Sequence, residues 1–183
     1  MRIRTSTADD RQAISALHLD AFGPDEGPEI IRLVDDLFAD PSAQPLLSLV
    51  ADDGEITGHV MFTAVHLPEQ PQVAMQILAP LAVARTHQGN GVGSALVREG
   101  LERLAADDTR LVFVLGHPGY YPRFGFRPAG ALGLDAPYPV PDHHADAWMV
   151  QALGKDMGDR VSGQIQCARA LDHPAYWCEQ SDA

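Results

Sequence analysis

The feature that most constrains the fold is the stretch Leu81-Ala-Val-Ala-Arg-Thr-His-Gln88-Gly89-Asn90-Gly91-Val92-Gly93-Ser94-Ala-Leu96, where glycines at 89, 91 and 93 lie between an apolar run and a helical pattern. Glycine at alternate positions lets main-chain N–H groups turn toward one point with no side chain in the way, and a helix N-terminus adds roughly half a positive charge there. The segment therefore reads as an anion cradle, suited to a phosphate or pyrophosphate. Two common phosphate motifs do not fit. No Gly-Lys-Ser/Thr is present, and Leu96 stands where a dinucleotide fingerprint starting at Gly91 needs its third Gly or Ala. A glycine-rich turn that merely caps a helix is the alternative.

The flanking periodicity sets the cradle in a strand, helix, strand unit. Residues 2–5 read as extended, and Thr7 followed by Asp10 matches a capping box that opens a helix running to Phe22, with Ile14, Leu17 and Ala21 on one face. Gly23, Pro24, Gly27 and Pro28 break the chain, and a second amphipathic helix is expected over 28–39 through Ile30, Leu33, Val34 and Leu37. Strands are expected over 46–51, 56–67 and 73–83, the last with a kink or bulge at Ala79-Pro80, because proline cannot donate to a ladder in mid-sheet. A helix from about 91 to 105 and a strand over 110–115 follow. One helical turn within 119–125, a Pro-rich loop over 130–146, and strands over 148–153 and 163–170 complete the pattern. No repeat or low-complexity tract interrupts it. The elements form one α+β or α/β domain over 1–183, with a core over about 2–170.

Composition narrows the partners. A chain of 183 residues, 45% hydrophobic, has a sizeable core. Its 13 Lys and Arg against 25 Asp and Glu give a formal charge of -12, which argues against a general nucleic-acid binder and suits a cationic or amine-bearing partner. The longest apolar runs fall short of the about 20 residues that span a bilayer, and Arg2 and Arg4 lead into polar residues rather than a secretory h-region, so neither membrane nor export is expected. Cys167 and Cys178 make neither a disulfide framework nor a zinc pattern, and a reducing cytoplasm is the default.

Gln88-x-x-Gly91-x-Gly93 resembles the Q/R-x-x-G-x-G/A motif of the GNAT N-acetyltransferase superfamily, and Tyr121-Pro-Arg123-Phe124-Gly125-Phe126 resembles its later Y-x-x-x-G-F element. The run from Gly116 to Phe126, with Leu81-Ala82-Val83 before it, is similar to the YhbS-like branch of that superfamily. The resemblance implies the GNAT fold: a central mixed β-sheet splayed between its fourth and fifth strands and flanked by helices. It implies acetyl-CoA as cosubstrate, no metal, an amine acceptor on a small molecule or protein, and a monomer or homodimer. By the same resemblance Gln88, Gly89, Asn90, Gly91, Val92, Gly93 and Ser94 hold the pyrophosphate, Leu81, Ala82 and Val83 supply the main chain that meets the thioester carbonyl, and Phe124 borders the cofactor. Tyr121 matches the general acid toward the departing sulfur. A phenol near pKa 10 stays protonated at neutral pH and can donate.

No base stands out. Many relatives place a Glu on the fourth strand, where this chain has Gln76 and Ile77. His66 and His117 are the candidates, with a water-mediated route or no base at all as the alternatives, since an α-amine near pKa 8 is already about a tenth neutral at pH 7. Asp25, Glu26 and Glu29 read as a solvated loop and helix start, or as an attractor for the amine. Asp142-His143-His144-Ala145-Asp146 has metal-capable side chains without a closed ligand set. Arg85, His87 and Arg123 are candidates for the cofactor's phosphates, Tyr120 for packing or a substrate wall. A non-catalytic acyl-CoA-binding or regulatory module of the same fold is the second function consistent with these residues.

Overall fold

In the computed structural model, residues 1–154 and 161–178 are described; the expected domain range of 1–183 therefore extends in part outside the described residues. The strands are β1 (Arg2–Thr5), β2 (Leu47–Asp52), β3 (Ile56–Val65), β4 (Met75–Val83), β5 (Leu111–Leu115), β6 (Arg127–Pro128), β7 (Leu134–Asp135), β8 (Trp148–Ala152) and β9 (Gly163–Gln164), and the helices are α1 (Arg11–Ala39) and α2 (Val92–Ala106). Seven strands make one sheet in the order β1-β2-β3-β4-β5-β8-β6, while β7 and β9 pair separately.

The first four strands are joined in sequence as antiparallel neighbours, and α2 carries the chain across to β5, which pairs parallel with β4. Side chains alternate across the sheet. Along β3, Met61 and Val65 pack beneath α1 with Ile14, Leu33, Val34 and Leu37, whereas Val60 and Phe62 pack beneath α2 with Leu96, Val97 and Leu101. Each fully buried Leu or Phe in these layers contributes about 1.5–3 kcal/mol from removal of apolar surface from water. Gly100 of α2 lies against the Phe62 ring so closely that a Cβ there would overlap it.

Two expectations about helix boundaries shift. The capping interaction is present, with Asp10 accepting from the Thr7 N–H at 2.7 Å, yet it closes a 3-10 turn over Ala8–Asp10 before α1 begins. The break in α1 falls at Gly23 (φ 77°, ψ −178°), and helix resumes at once with Pro24 rather than Pro28. Proline's fixed φ and missing N–H suit a first helical position, so Pro24 restarts the helix as soon as Gly23 has turned the chain. The break inclines the second half of α1 over the end of β4. The strand expected over 163–170 is only β9, an isolated bridge between His66 and Gln166, and a 3-10 turn at Arg169–Leu171.

The bulge at Ala79-Pro80 is present. Val60 pairs with Leu81 and Phe62 with Leu78, so Ala79 and Pro80 together oppose Met61. The parallel ladder of β4 and β5 ends at the same point, at Leu78 and Val114. A proline cannot donate to β5, and the extra residue bends β4 away from it. The two strands part there.

Candidate active site

The parting leaves one edge of β4 open. A bond from the Ala84 N–H to the Thr57 carbonyl, 3.0 Å, fixes the phase of the antiparallel ladder, so His59 and Ala82 form a hydrogen-bonded pair and Leu81 and Val83 turn their main-chain groups away from β3 into the opening. The Val83 carbonyl accepts from the Gln88 side-chain amide at 3.1 Å, which ties the glycine loop to the strand. The N–H groups of Leu81 and Val83 remain directed into the gap.

Beyond β4 a 3-10 turn at Arg85–His87 leads to Gly89 (φ 78°) and Gly91 (φ 82°), left-handed conformations that carry the chain into α2. The first bond of the helix runs from the Ala95 N–H to the Gly91 carbonyl, 2.9 Å, and no side chain caps the helix. The N–H groups of Val92, Gly93 and Ser94 are thus without intrahelical acceptors, at the positive end of the helix dipole. A cavity of about 400 Å³ opens over them, bordered by Leu81, Val83, His87, Gln88, Gly89, Gly91, Val92, Gly93, Ser94, Tyr120 and Arg123. Among the described residues no carboxylate borders it. Arg123 lies 4.5 Å over the Tyr120 ring and donates from Nε to the Tyr120 carbonyl at 2.9 Å. A Cβ on Gly93 would come 2.9 Å from the Tyr120 hydroxyl, so glycine there lets the phenol close on the first turn of α2.

A second cleft, of about 280 Å³, lies in the opening itself and shares Leu81 with the first. Its walls are β4 from Ile77 to Leu81, Val114 and Leu115 of β5, Tyr121, Phe22, Ile30 and Leu33 of α1, and Leu171, Tyr176 and Trp177 from the C-terminal segment. Tyr121 is 8% exposed, its ring packed on Gly116 and edge-on to Tyr120 with centroids 5.0 Å apart. Burial, with the Tyr120 phenol adding to it, holds the Tyr121 hydroxyl well above the ordinary phenol range, so it stays protonated and available as a donor.

Most of the residues expected at the cradle come together, and three do not border it. Ala82 gives its N–H to the β3 side, Asn90 is exposed at the loop tip, and Phe124 packs against Tyr120 and Tyr121 with the Arg98 guanidinium 5.3 Å over its ring. Arg85 is likewise drawn away: its N–H donates to Asp20 at 2.8 Å and its guanidinium lies against Gly23. Neither candidate base borders the cleft. His66 sits at the far end of β3, bridged to Gln166, and exposed His117 accepts the Gly119 N–H on Nδ1 at 3.0 Å. Gln76 is buried at the far end of β4 and donates to the Pro45 carbonyl at 2.9 Å. Asp25 and Glu26 are exposed at the restart of α1, where they oppose its dipole favourably. Asp142–Ala147 forms a 3-10 turn, and among the described residues no cluster of three or more His, Cys, Asp or Glu is arranged to hold a metal. Tyr120, expected as packing or a substrate wall, borders the cradle; Tyr176 and Trp177 are the additions, and an aromatic pair near the C-terminus was the only signal for them.

The model of the acetyltransferase (GNAT) domain matches residues 2–129. The chain is 48% identical over 139 residues to YjhQ of Escherichia coli, an uncharacterised N-acetyltransferase, covering 74% of this chain and 76% of that protein. It is similar to the crystal structure of the GNAT family N-acetyltransferase YhbS from Escherichia coli in complex with CoA (TM-score 0.82, 31% identity, 94% and 92% of the two chains covered). It is also similar to a GNAT family acetyltransferase from Brucella melitensis in complex with acetyl-CoA (TM-score 0.71, 30% identity, 93% and 97% covered). With a family model over most of its length and an open β4 edge leading into an uncapped helix, the chain belongs to the GNAT acetyltransferase family.

Proposed function

We propose that this chain transfers an acetyl group from acetyl-CoA to a primary amine. The observation that carries this is the junction at Leu81: free strand N–H groups and the Tyr121 phenol on one side, uncapped helix N–H groups on the other. The cavity over the start of α2 suits a pyrophosphate, because it offers the main-chain N–H groups of Val92, Gly93 and Ser94, the Arg123 guanidinium and, among the described residues, no carboxylate. The two GNAT structures named above hold CoA and acetyl-CoA, which supports the same ligand here.

When bound, acetyl-CoA supplies the activated acyl group as a thioester. The N–H of Leu81 or Val83 is placed to donate to the carbonyl oxygen as negative charge develops there. Tyr121 donates to the departing sulfur. As the amine nitrogen forms its bond to the acyl carbon, the carbon–sulfur bond breaks; nitrogen gives up one proton and sulfur gains one, so no external acid or base is consumed overall. Burial keeps that phenol protonated and ready to donate.

Calorimetric titration with CoA, acetyl-CoA and ATP, followed by measurement of thiol release in the presence of amines, tests the proposal. The two CoA species should bind more tightly than ATP, and thiol should appear only when an acceptor is added. Binding without release under any amine would favour the non-catalytic module, and absence of CoA binding would remove both.

A further inference from the structure

The cleft beside Tyr121 differs from the cradle in one respect that bears on the acceptor. Its far walls, from α1 and the C-terminal segment, are Phe22, Ile30, Leu33, Leu171, Tyr176 and Trp177, and among the described residues no Asp, Glu, Lys, Arg or His borders it. At its outer edge charges appear: exposed Glu29 and Asp36, with Arg32 opposing them, act on the Tyr176 phenol in addition to its burial. An ammonium is drawn toward that edge, yet inside it would have no counter-ion. Burying an unpaired charge costs several kcal/mol, and an amine placed in such surroundings sheds its proton to water instead.

Resting on the acetyltransferase reading, we infer that the acceptor is a compact monoamine on an apolar body of aromatic size, and that it enters the cleft as the neutral amine. Desolvation then does the work that a carboxylate or imidazole base would do, and neither candidate histidine is needed. The whole cleft, about 280 Å³, lies just under the about 300 Å³ at which pockets for drug-sized ligands begin, and it also receives the thioester beside Leu81 and Tyr121, so what is left takes one small body. A polyamine would have to lay a second ammonium against Ile30 or Trp177.

The test uses 2-phenylethylamine and spermidine as probes, titrated into CoA-saturated protein at pH 7 and pH 8. The aromatic monoamine should bind at least about tenfold more tightly than spermidine. Its apparent affinity should rise about tenfold over that pH unit, because the neutral fraction of an amine with a pKa well above 8 does so. Ile30→Asp supplies the missing counter-ion and should flatten that pH dependence to within about twofold while CoA affinity stays within about twofold; if that variant fails to load CoA, the pH series on the wild-type protein decides alone. Spermidine binding as tightly as phenylethylamine, affinity unchanged with pH, or no binding of either amine to the CoA-loaded protein would overturn the inference. Failure of the wild-type protein to take up CoA would instead strike the proposed function, and this inference with it.

Discussion

His18 of α1 and His59 of β3 lie ring to ring in the core, His18 Nε2 at 2.8 Å from His59 Nδ1, both with no exposed surface. His59 Nε2 is 2.9 Å from Ser48 Oγ, and Ser6 Oγ donates to Ser48 at 2.7 Å, so a polar chain runs from β1 through the sheet to α1. With Ser6 donating to Ser48, the network assigns Ser48 as donor to His59 and His59 Nδ1–H as donor to His18. The chain ends on His18 Nδ1, which has no partner. His18 also stacks on Phe22, which borders the acceptor cleft, so the same helix segment anchors the core and shapes the site.

Both rings are held neutral by burial, His18 down to about 4 and His59 down to about 3. In the unfolded chain they titrate near 6.5, so below that pH the unfolded state binds more protons than the folded one. Stability is therefore fully present above about pH 6.5 and falls as pH is lowered toward 4 and then 3, by up to about 1.4 kcal/mol per histidine per pH unit. Urea melts at pH 7 and pH 5 should show a clear fall in midpoint, and His18→Leu/His59→Leu should flatten that difference. Equal midpoints in the wild-type protein would contradict the buried neutral pair. Asp10, held far below the usual carboxylate range first by its bond to Arg4, acts in a separate window, below the unfolded carboxylate value near 4.

Tyr121→Phe removes the hydroxyl and keeps the ring that packs on Gly116. The expected result is a loss of about 100-fold in kcat, within the range for a positioned proton donor, with CoA affinity within about twofold. Steady-state thiol release with acetyl-CoA and calorimetry with CoA check the two halves. Wild-type turnover would remove Tyr121 from the chemistry.

The cradle and the splay were legible because their causes are local. Gly89 and Gly91 write a left-handed backbone conformation directly into the sequence, and Pro80 marks the residue that cannot join the ladder with β5. The acceptor cleft was illegible for the opposite reason. Tyr176 and Trp177 return to the cleft beside Leu81 from about half the chain away, Trp177 meeting Trp148 edge-on with centroids 5.7 Å apart, a contact that no short-range pattern records. His18 and His59 are 41 positions apart, and no local spacing joins them. For Phe124 the motif gives proximity to the cofactor loop and not the direction of its ring, which packs on Tyr120 and Tyr121.

Gly91→Val tests the cradle. At φ 82° a branched residue is strained by about 1–2 kcal/mol, and its side chain meets no protein atom within 4 Å, so it projects into open space beside the α2 N-terminus. CoA affinity should fall at least about tenfold, with a smaller fall in melting temperature. Calorimetry that found CoA affinity unchanged in a folded variant would show that the phosphates lie elsewhere.

Gly100→Ala separates folding from binding. A Cβ at Gly100 would overlap the Phe62 ring, which is completely buried between α2 and β3 and cannot swing into solvent. Moving either the helix or the ring costs about 1–3 kcal/mol, the usual penalty of overpacking. Gly100 lies toward the C-terminal half of α2, away from the uncapped first turn, so the displacement should lower the urea midpoint while CoA affinity holds within about threefold. Phe62→Leu introduced together with Gly100→Ala should recover part of the loss, because the smaller side chain vacates the volume the methyl needs. Two single variants that simply add, with no recovery in the double, would mean that the ring and the helix backbone are not in the contact described.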